Sequence, residues 1–412
     1  MTKIFISAYA CEPGLGSEIG VGWHWVLELS KYYDLWVLTR KSNQHTIEPW
    51  IEKHPEYKNI HWLYFDLPKW ARFWKKGLRG VRTYYSIWQM LTNRLVKRTM
   101  QEQSIKVFLH VTYGNALLNM GSYGQKQFFI WGPIGGLETI GADYSKHYAT
   151  KWQLIEAIRR FTVKMTPLNF GFKGRCRNAD IILAKTEITR QHIPEQYRDK
   201  AILQTDVATE KIDAVQINHA PNSRLELITV GRLDAWRGFD LCIEALRQAK
   251  SCGINAHLSI VGKGSDQQRL QNLVEKFGLY DDVTFVGQVP MEKYKEMMVQ
   301  SDIILNASLK EGAVTVSFDA MALGKPMICL DTTGYTRYFN DDYAVVLPIR
   351  DRDTVVNDIA QAIVRLDNSD LRLRMGMKAM EAASMFTWEV RGKEVYNYIN
   401  PKINAFLQNN KC

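Results

Sequence analysis

The sequence predicts an α/β protein built from two doubly wound parallel-sheet domains in series, and three observations carry that reading. Short β-branched or aromatic runs alternate with helix-length amphipathic stretches through most of the chain, the pattern of βα units around parallel sheets. The alternation halts once, over residues 206–223, where the pattern loosens and Ala220-Pro221-Asn222-Ser223 reads as a linker. The length of 412 residues, 46% of them apolar and 23% charged, supplies two cores and excludes a disordered or collagen-like chain. The expected domains are therefore 1–205 and 206–387, with the helices of 388–412 packing back on the first.

In the first domain strands are expected at 3–9, 34–40, 60–67, 106–112, 127–131 and 180–184, with a helix over 19–32 and a long helical stretch from about 70 to 103. In the second they are expected at 225–230, 257–261, 283–286, 303–307, 326–330 and 344–347, with helices between them. The tail is helical from about Arg352, and Asn400-Pro401 should interrupt it, because proline lacks the amide hydrogen a helix needs. In such sheets ligands bind beyond the carboxyl ends of the strands.

Six scattered cysteines without a C-x-x-C pair indicate neither a zinc site nor a disulfide framework, and fit a reducing cytoplasm. No run approaches ~18 apolar residues, so no membrane-crossing helix is expected. The opening run 3–9 is too short for a signal-peptide core. The net charge of +10 divides unevenly: residues 1–205 carry +13 and residues 206–412 carry −3. That asymmetry points to an anionic partner of the first half: membrane, nucleic acid or acidic substrate.

Two stretches of the second domain carry chemistry. In Val230-Gly231-Arg232-Leu233-Asp234-Ala235-Trp236-Arg237-Gly238, two guanidiniums stand five positions apart on a Gly-bounded loop at a strand's carboxyl edge, where they suit one multiply charged anion such as a diphosphate. The second stretch runs from Glu311-Gly312-Ala313-Val314-Thr315 through Asp319 to Gly324-Lys325-Pro326. It places a short helix between two apolar strands, ending at Gly324. The start of that helix offers amide N–H groups to phosphate. The acids Glu311 and Asp319 would repel phosphate and suit sugar hydroxyls instead.

The run G-R-L-x-x-x-R-G at 231–238, then Ile260-Val261-Gly262-Lys263-Gly264, Val283-Thr284-Phe285-Val286-Gly287, and E-G-x6-D-A-M-A-x-G-K-P from Glu311 resembles the donor domain of glycosyltransferase family 4. The resemblance implies the GT-B fold: two Rossmann-like doubly wound domains facing a central cleft. It implies that Arg232 and Arg237 hold the donor pyrophosphate, with Arg237 in place of the more usual Lys, that Glu311 contacts the transferred sugar, and that Asp319 stands for the Glu that contacts ribose. Gly231, Gly262, Gly312, Ala313, Val314 and Thr315 complete the donor side. Arg337 occupies a position where many members have Glu.

The first domain carries Glu12-Pro13-Gly14-Leu15-Gly16-Ser17-Glu18-Ile19-Gly20, similar to the family's acceptor-side Gly loop. Here Gly14 and Gly16 approach the donor, and Glu12 and Ser17 line the acceptor side. A dinucleotide site is the competing reading, but the third glycine is misplaced and the second strand ends in Thr39-Arg40-Lys41 without a ribose-binding acid. His110, at a strand's carboxyl end, resembles the family's His that reaches the donor sugar. The loop Gly132-Pro133-Ile134-Gly135-Gly136 is expected to line the acceptor side through Gly135 and Gly136.

From Lys69 to Arg98 nine bases mix with Trp, Phe and Tyr, and no acid occurs between Asp66 and Glu102. This segment is expected to lie on an anionic membrane surface, with some of it packing on the first domain. Nucleic acid is not expected, since no recognition fold accompanies it. Asp351-Arg352-Asp353 reads as a helix N-cap and not as a metal ligand pair. These residues and the resemblance together predict a metal-independent glycosyltransferase without a cofactor, and the resemblance implies that it retains configuration. It would move a hexose from a nucleotide-diphosphate sugar to a saccharide acceptor, lipid-linked, in bacterial surface polysaccharide biosynthesis. His110, Glu311, Arg232 and Arg237 would be catalytic and the protein peripheral on the inner membrane face. A non-catalytic nucleotide-sugar-binding module and an NADP-dependent Rossmann enzyme are the alternatives.

Overall fold

A computed structural model describes residues 1–15, 17–75, 80–121, 126–209, 224–312 and 314–410. The chain forms two compact units. The first comprises Met1–Leu137, Met165–Asp206 and Trp388–Cys412, the second Glu138–Lys164 and Val207–Thr387.

The first unit holds strands β1 (Lys3–Ser7), β2 (Asp34–Arg40), β3 (Ile60–Phe65), β4 (Val107–His110), β5 (Phe128–Ile134), β6 (Ile181–Ala184) and β7 (Ala201–Leu203), in one parallel sheet of order β3-β2-β1-β4-β5-β6-β7. A parallel sheet covered on both faces needs strands that are apolar throughout, and Ile4, Phe5 and Ile6 are fully buried in succession. The strand order reverses between β1 and β4, whose last residues Ser7 and His110 lie side by side. Strand β7, only three residues long, falls outside the expected set. Strand β5 runs on past Trp131 to Ile134 with a register shift against β6.

The second unit holds β8 (Leu225–Val230), β9 (Ala256–Val261), β10 (Val283–Gly287), β11 (Ile303–Asn306), β12 (Met327–Leu330) and β13 (Ala344–Leu347), all parallel in the order β10-β9-β8-β11-β12-β13. Here the order reverses between β8 and β11, so the loops following these two strands are neighbours at the carboxyl edge. Asp351 caps the helix Arg352–Arg365 by accepting the Thr354 amide at 3.0 Å.

Two departures from the sequence reading have physical causes. Residues 138–164, expected in the first domain, belong to the second unit because Ile140, Tyr144 and Tyr148 are buried in its apolar core. The Tyr144 hydroxyl donates to the Arg350 carbonyl at 2.7 Å, and the Arg352 amide donates to Asp143 at 2.9 Å. The C-terminal helix Trp388–Asn409 runs straight through Pro401 instead of breaking there. Packing offsets the lost amide bond: Tyr396 stacks on Tyr32 at 4.1 Å, Phe406 meets Phe128, and Ile399 and Ile403 are fully buried on the first unit.

Candidate functional site

In the second unit, glycines bring the strand-end loops together. A Cβ on Gly262 would lie 1.9 Å from the Gly231 carbonyl oxygen, so the loops after β8 and β9 touch backbone to backbone. Gly238, at φ +70°, leaves no room for a side chain either, because its Cβ would lie 2.0 Å from the Ala307 carbonyl oxygen. The Leu309 amide donates to the Trp236 carbonyl at 3.1 Å, tying the β8 loop to the β11 loop.

This closure joins Arg237 to Glu311 in a largely buried ion pair. The Arg237 guanidinium also lies over the Trp236 ring at 4.5 Å, and Lys310 approaches the same ring at 5.3 Å. Lys310 in turn pairs with Glu156 of the helix Thr150–Lys164. Burial, helped by the Arg159 charge, pushes the Lys310 ammonium down to about 8, against the pull of Glu156. Arg232 is half exposed and donates from Nε to Asp234 at 2.6 Å. The two arginines of the motif are thus held by different acids, Asp234 and Glu311.

The helix Thr315–Ala322 begins beside Glu311 and Gly312, with Val314 at its N-cap and no capping side chain. Gly334 abuts this entry, since a Cβ there would lie 2.6 Å from the Gly312 carbonyl oxygen. Asp319, half-buried on the helix, accepts the Tyr294 hydroxyl at 2.7 Å, and burial with that carboxylate raises the Tyr294 phenol. Ala313 lies outside the described residues.

In the first unit His110 is 2% exposed and its Nε2 shares a 2.9 Å hydrogen bond with the Tyr85 hydroxyl. Burial, with the Arg175 charge second, pushes its pKa down to about 3. Its Nδ1 has no hydrogen-bond partner among the described residues. Gly14, at φ +73°, stands in an open loop, and Glu12 accepts the Thr46 hydroxyl at 2.9 Å. Gly16 and the side chain of Ser17 lie outside the described residues. Gly135 donates its amide to the Gly114 carbonyl at 2.6 Å, and Gly136, at φ +91°, faces Asn115 too closely for any Cβ.

Sequence reading gave no site role to Glu156, Lys310 and Arg175, which stand in no recognisable local pattern, nor to Tyr85, which it read as part of the basic aromatic segment. It also missed a cavity of about 300 Å³ beyond β2 and β3, lined by Arg40, Ser42, Asp66, Arg72, Lys75 and Tyr84. Asp66 accepts the Tyr84 hydroxyl at 2.7 Å and the Ser42 amide at 3.0 Å, with Arg72 at 3.6 Å. One acid so occupied against three cations leaves a site suited to an anionic group.

Part of the segment from Lys69 to Arg98 packs on the first unit. Tyr84, Tyr85 and Trp88 are buried there with Tyr9 in an aromatic cluster. They lie on the inward face of the helix Val81–Glu102, whose spacing serves packing. Trp70 and Phe73 remain exposed, and 76–79 lie outside the described residues. No helix among the described residues is long and apolar enough to cross a membrane.

Comparison with known proteins agrees with this architecture. Residues 210–382 match the family described as Glycosyl transferases group 1. An uncharacterized glycosyltransferase of Methanocaldococcus jannaschii is 27% identical over 55% of this chain and 60% of its own. WcaL of Escherichia coli, assigned to colanic acid biosynthesis as a glycosyltransferase, is 31% identical over 37% of this chain and 39% of its own. The chain thus spans 60% and 39% of the length of these two relatives. The solved lipopolysaccharide outer core galactosyltransferase WaaB superposes with a TM-score of 0.61 at 14% identity, covering 98% of this chain and all of that one. The fold is accordingly that of the GT-B glycosyltransferases, and residues 210–382 are similar in sequence to the Glycosyl transferases group 1 family.

Proposed function

We propose that the protein transfers a hexosyl group, with retention of configuration, from a nucleotide-diphosphate sugar to a saccharide acceptor in surface polysaccharide assembly. The observation that carries this reading is the Arg237–Glu311 pair, formed between the loops after β8 and β11 where the strand order reverses, beside the uncapped start of the helix Thr315–Ala322. Arg232, Arg237 and that helix start supply positive potential for a diphosphate, and Glu311 offers its carboxylate to a sugar hydroxyl. As the bond from the anomeric carbon to phosphate breaks, negative charge grows on the leaving diphosphate, and fixed cations stabilise it. The acceptor oxygen bonds to the same face of the sugar and its proton passes to the leaving phosphate, the course that the family 4 resemblance implies. His110, neutral and buried, is proposed to orient the sugar. Asp319, already engaged by Tyr294, would meet the ribose with its remaining lone pairs.

The cavity lined by Arg40, Arg72 and Lys75 supports an acceptor that bears an anionic group, as a lipid-phosphate-linked saccharide does. The assignment of Escherichia coli WcaL to colanic acid biosynthesis supports a saccharide acceptor. The proposed location is the inner face of a bacterial cytoplasmic membrane.

Turnover of nucleotide sugar by Arg237→Ala and Glu311→Ala tests the assignment. Each is expected to lose about 10²–10³ in kcat, the usual effect of removing one charge-stabilising group. Unchanged donor consumption in both would refute it, and retained binding with no product in the wild type would indicate a binding module. UDP, GDP and ADP, screened by thermal shift, should give one clear rise in melting temperature.

A further inference from the structure

The helix Thr150–Lys164 turns its polar side inward and its apolar side out. Inward, Glu156 is 2% exposed and paired with Lys310. Arg159 Nε donates to the Glu138 carbonyl at 2.9 Å, and Arg160 donates to the Ile140 carbonyl and the Ser145 hydroxyl at 3.0 Å each. Trp152 packs against the apolar core of the second unit, and Val163 is buried. Outward, Leu154, Ile158 and Phe161 are 62%, 56% and 65% exposed. Their spacing of four and three places them in one stripe along two turns. A helix on a soluble surface ordinarily shows the opposite polarity.

Charge completes the picture. Lys151 and Lys164 are both exposed, one at each end of the stripe, and the helix's one acid, Glu156, faces inward. The outer face is therefore apolar and cationic, with no carboxylate. A second copy of this chain would bring the same apolar stripe and the same two lysines, so that charge would oppose pairing. An anionic lipid surface offers both what the stripe and what the lysines need.

We infer that this face docks on an anionic bilayer, the helix lying in the interface with Leu154, Ile158 and Phe161 at the acyl boundary and Lys151 and Lys164 among the headgroups. Apolar insertion and cationic attraction together provide the two signals that stable peripheral binding requires. The inference deepens the membrane association proposed above, moves its main contact away from 69–98, and stands independently of the transfer chemistry. The ties from Glu156, Arg159 and Arg160 hold the helix firmly on the second unit, so docking would fix the donor-binding unit at the bilayer.

Co-sedimentation of the full chain with vesicles tests it. Binding to phosphatidylcholine vesicles containing phosphatidylglycerol is expected, with little binding to phosphatidylcholine alone. The variant Leu154→Gln/Ile158→Gln/Phe161→Gln should lose binding by roughly tenfold or more. Lys151→Gln/Lys164→Gln should weaken it and reduce its sensitivity to salt. Trp70→Gln/Phe73→Gln should bind nearly as the wild type. Unaltered binding by the triple variant, equal binding to neutral vesicles, or a dimer that the triple variant dissolves in light scattering would each overturn the inference. Should the triple variant fail to fold, the lysine variant decides alone, and undiminished binding by it refutes the docking. Donor consumption in solution should be equal in all variants, which separates failure of this inference from failure of the transferase reading.

Discussion

His110 stays neutral across the range in which an exposed histidine titrates, because its folded pKa is pushed from 6.5 to about 3 by burial and Arg175. The folded state therefore refuses a proton that the unfolded chain accepts below about pH 6.5. Its stabilising contribution is complete above that pH and is lost as pH falls toward 3, at up to about 1.4 kcal/mol per pH unit. In urea titrations, His110→Gln is expected to flatten this acid limb while leaving the difference in midpoint from wild type largest near neutrality. An acid limb as steep in the variant as in the wild type would show that other groups govern it. The strand-end position of His110 was legible because a short apolar run announces β4. Its enclosure was not, since Tyr85 comes from a helix whose aromatic residues read equally well as a surface. Arg237 and Glu311 were legible for a different reason: both stand in short loops bounded by glycines, where local spacing is enough.

The helix Thr150–Lys164 is joined to the candidate site through the buried contact of Glu156 with Lys310, and the two residues lie 154 positions apart. No local pattern announces such a pair, whereas the strands announce themselves by runs of buried β-branched residues. Both charges are nearly inaccessible, so removing one leaves the other without compensation. Lys310→Met is expected to destabilise the protein by about 3–5 kcal/mol, and Glu156→Leu/Lys310→Met to recover most of that loss. Urea denaturation of the two variants checks this, and equal midpoints for single and double variants would mean that the pair contributes through packing instead. Because Lys310 shares the Trp236 ring with Arg237, the single variant should also weaken nucleotide binding. The C-terminal helix shows the converse case of a strong local signal overridden. Pro401 argues for a break, yet Ile399, Ile403 and Phe406 hold the helix together from both sides of it.

Every strand of both sheets except β7 follows from alternation that is visible along the chain, but the path of the chain between the units does not. It leaves the first unit after Leu137, contributes 138–164 to the second, and returns at Met165. Nothing in composition marks these crossings, because a segment that packs on a distant core has the same apolar periodicity as one that packs on its neighbours. What decides its place is the burial of Ile140, Tyr144 and Tyr148 among residues that come later in sequence, together with the Tyr144 and Asp143 hydrogen bonds to 350–352. Each large apolar side chain so buried is worth about 1.5–3 kcal/mol. A fragment of 207–387 alone would expose that surface and leave Lys310 without Glu156. It is therefore expected to melt well below a fragment in which 138–164 is joined to 207–387 by a short flexible linker. Thermal unfolding followed by circular dichroism compares the two directly. Equal melting temperatures would show that 138–164 adds nothing to the second unit, and the boundary would return to 205/206. A higher melting temperature for the joined fragment, with nucleotide raising it further, would place the helix that carries the exposed apolar stripe within the donor-binding unit.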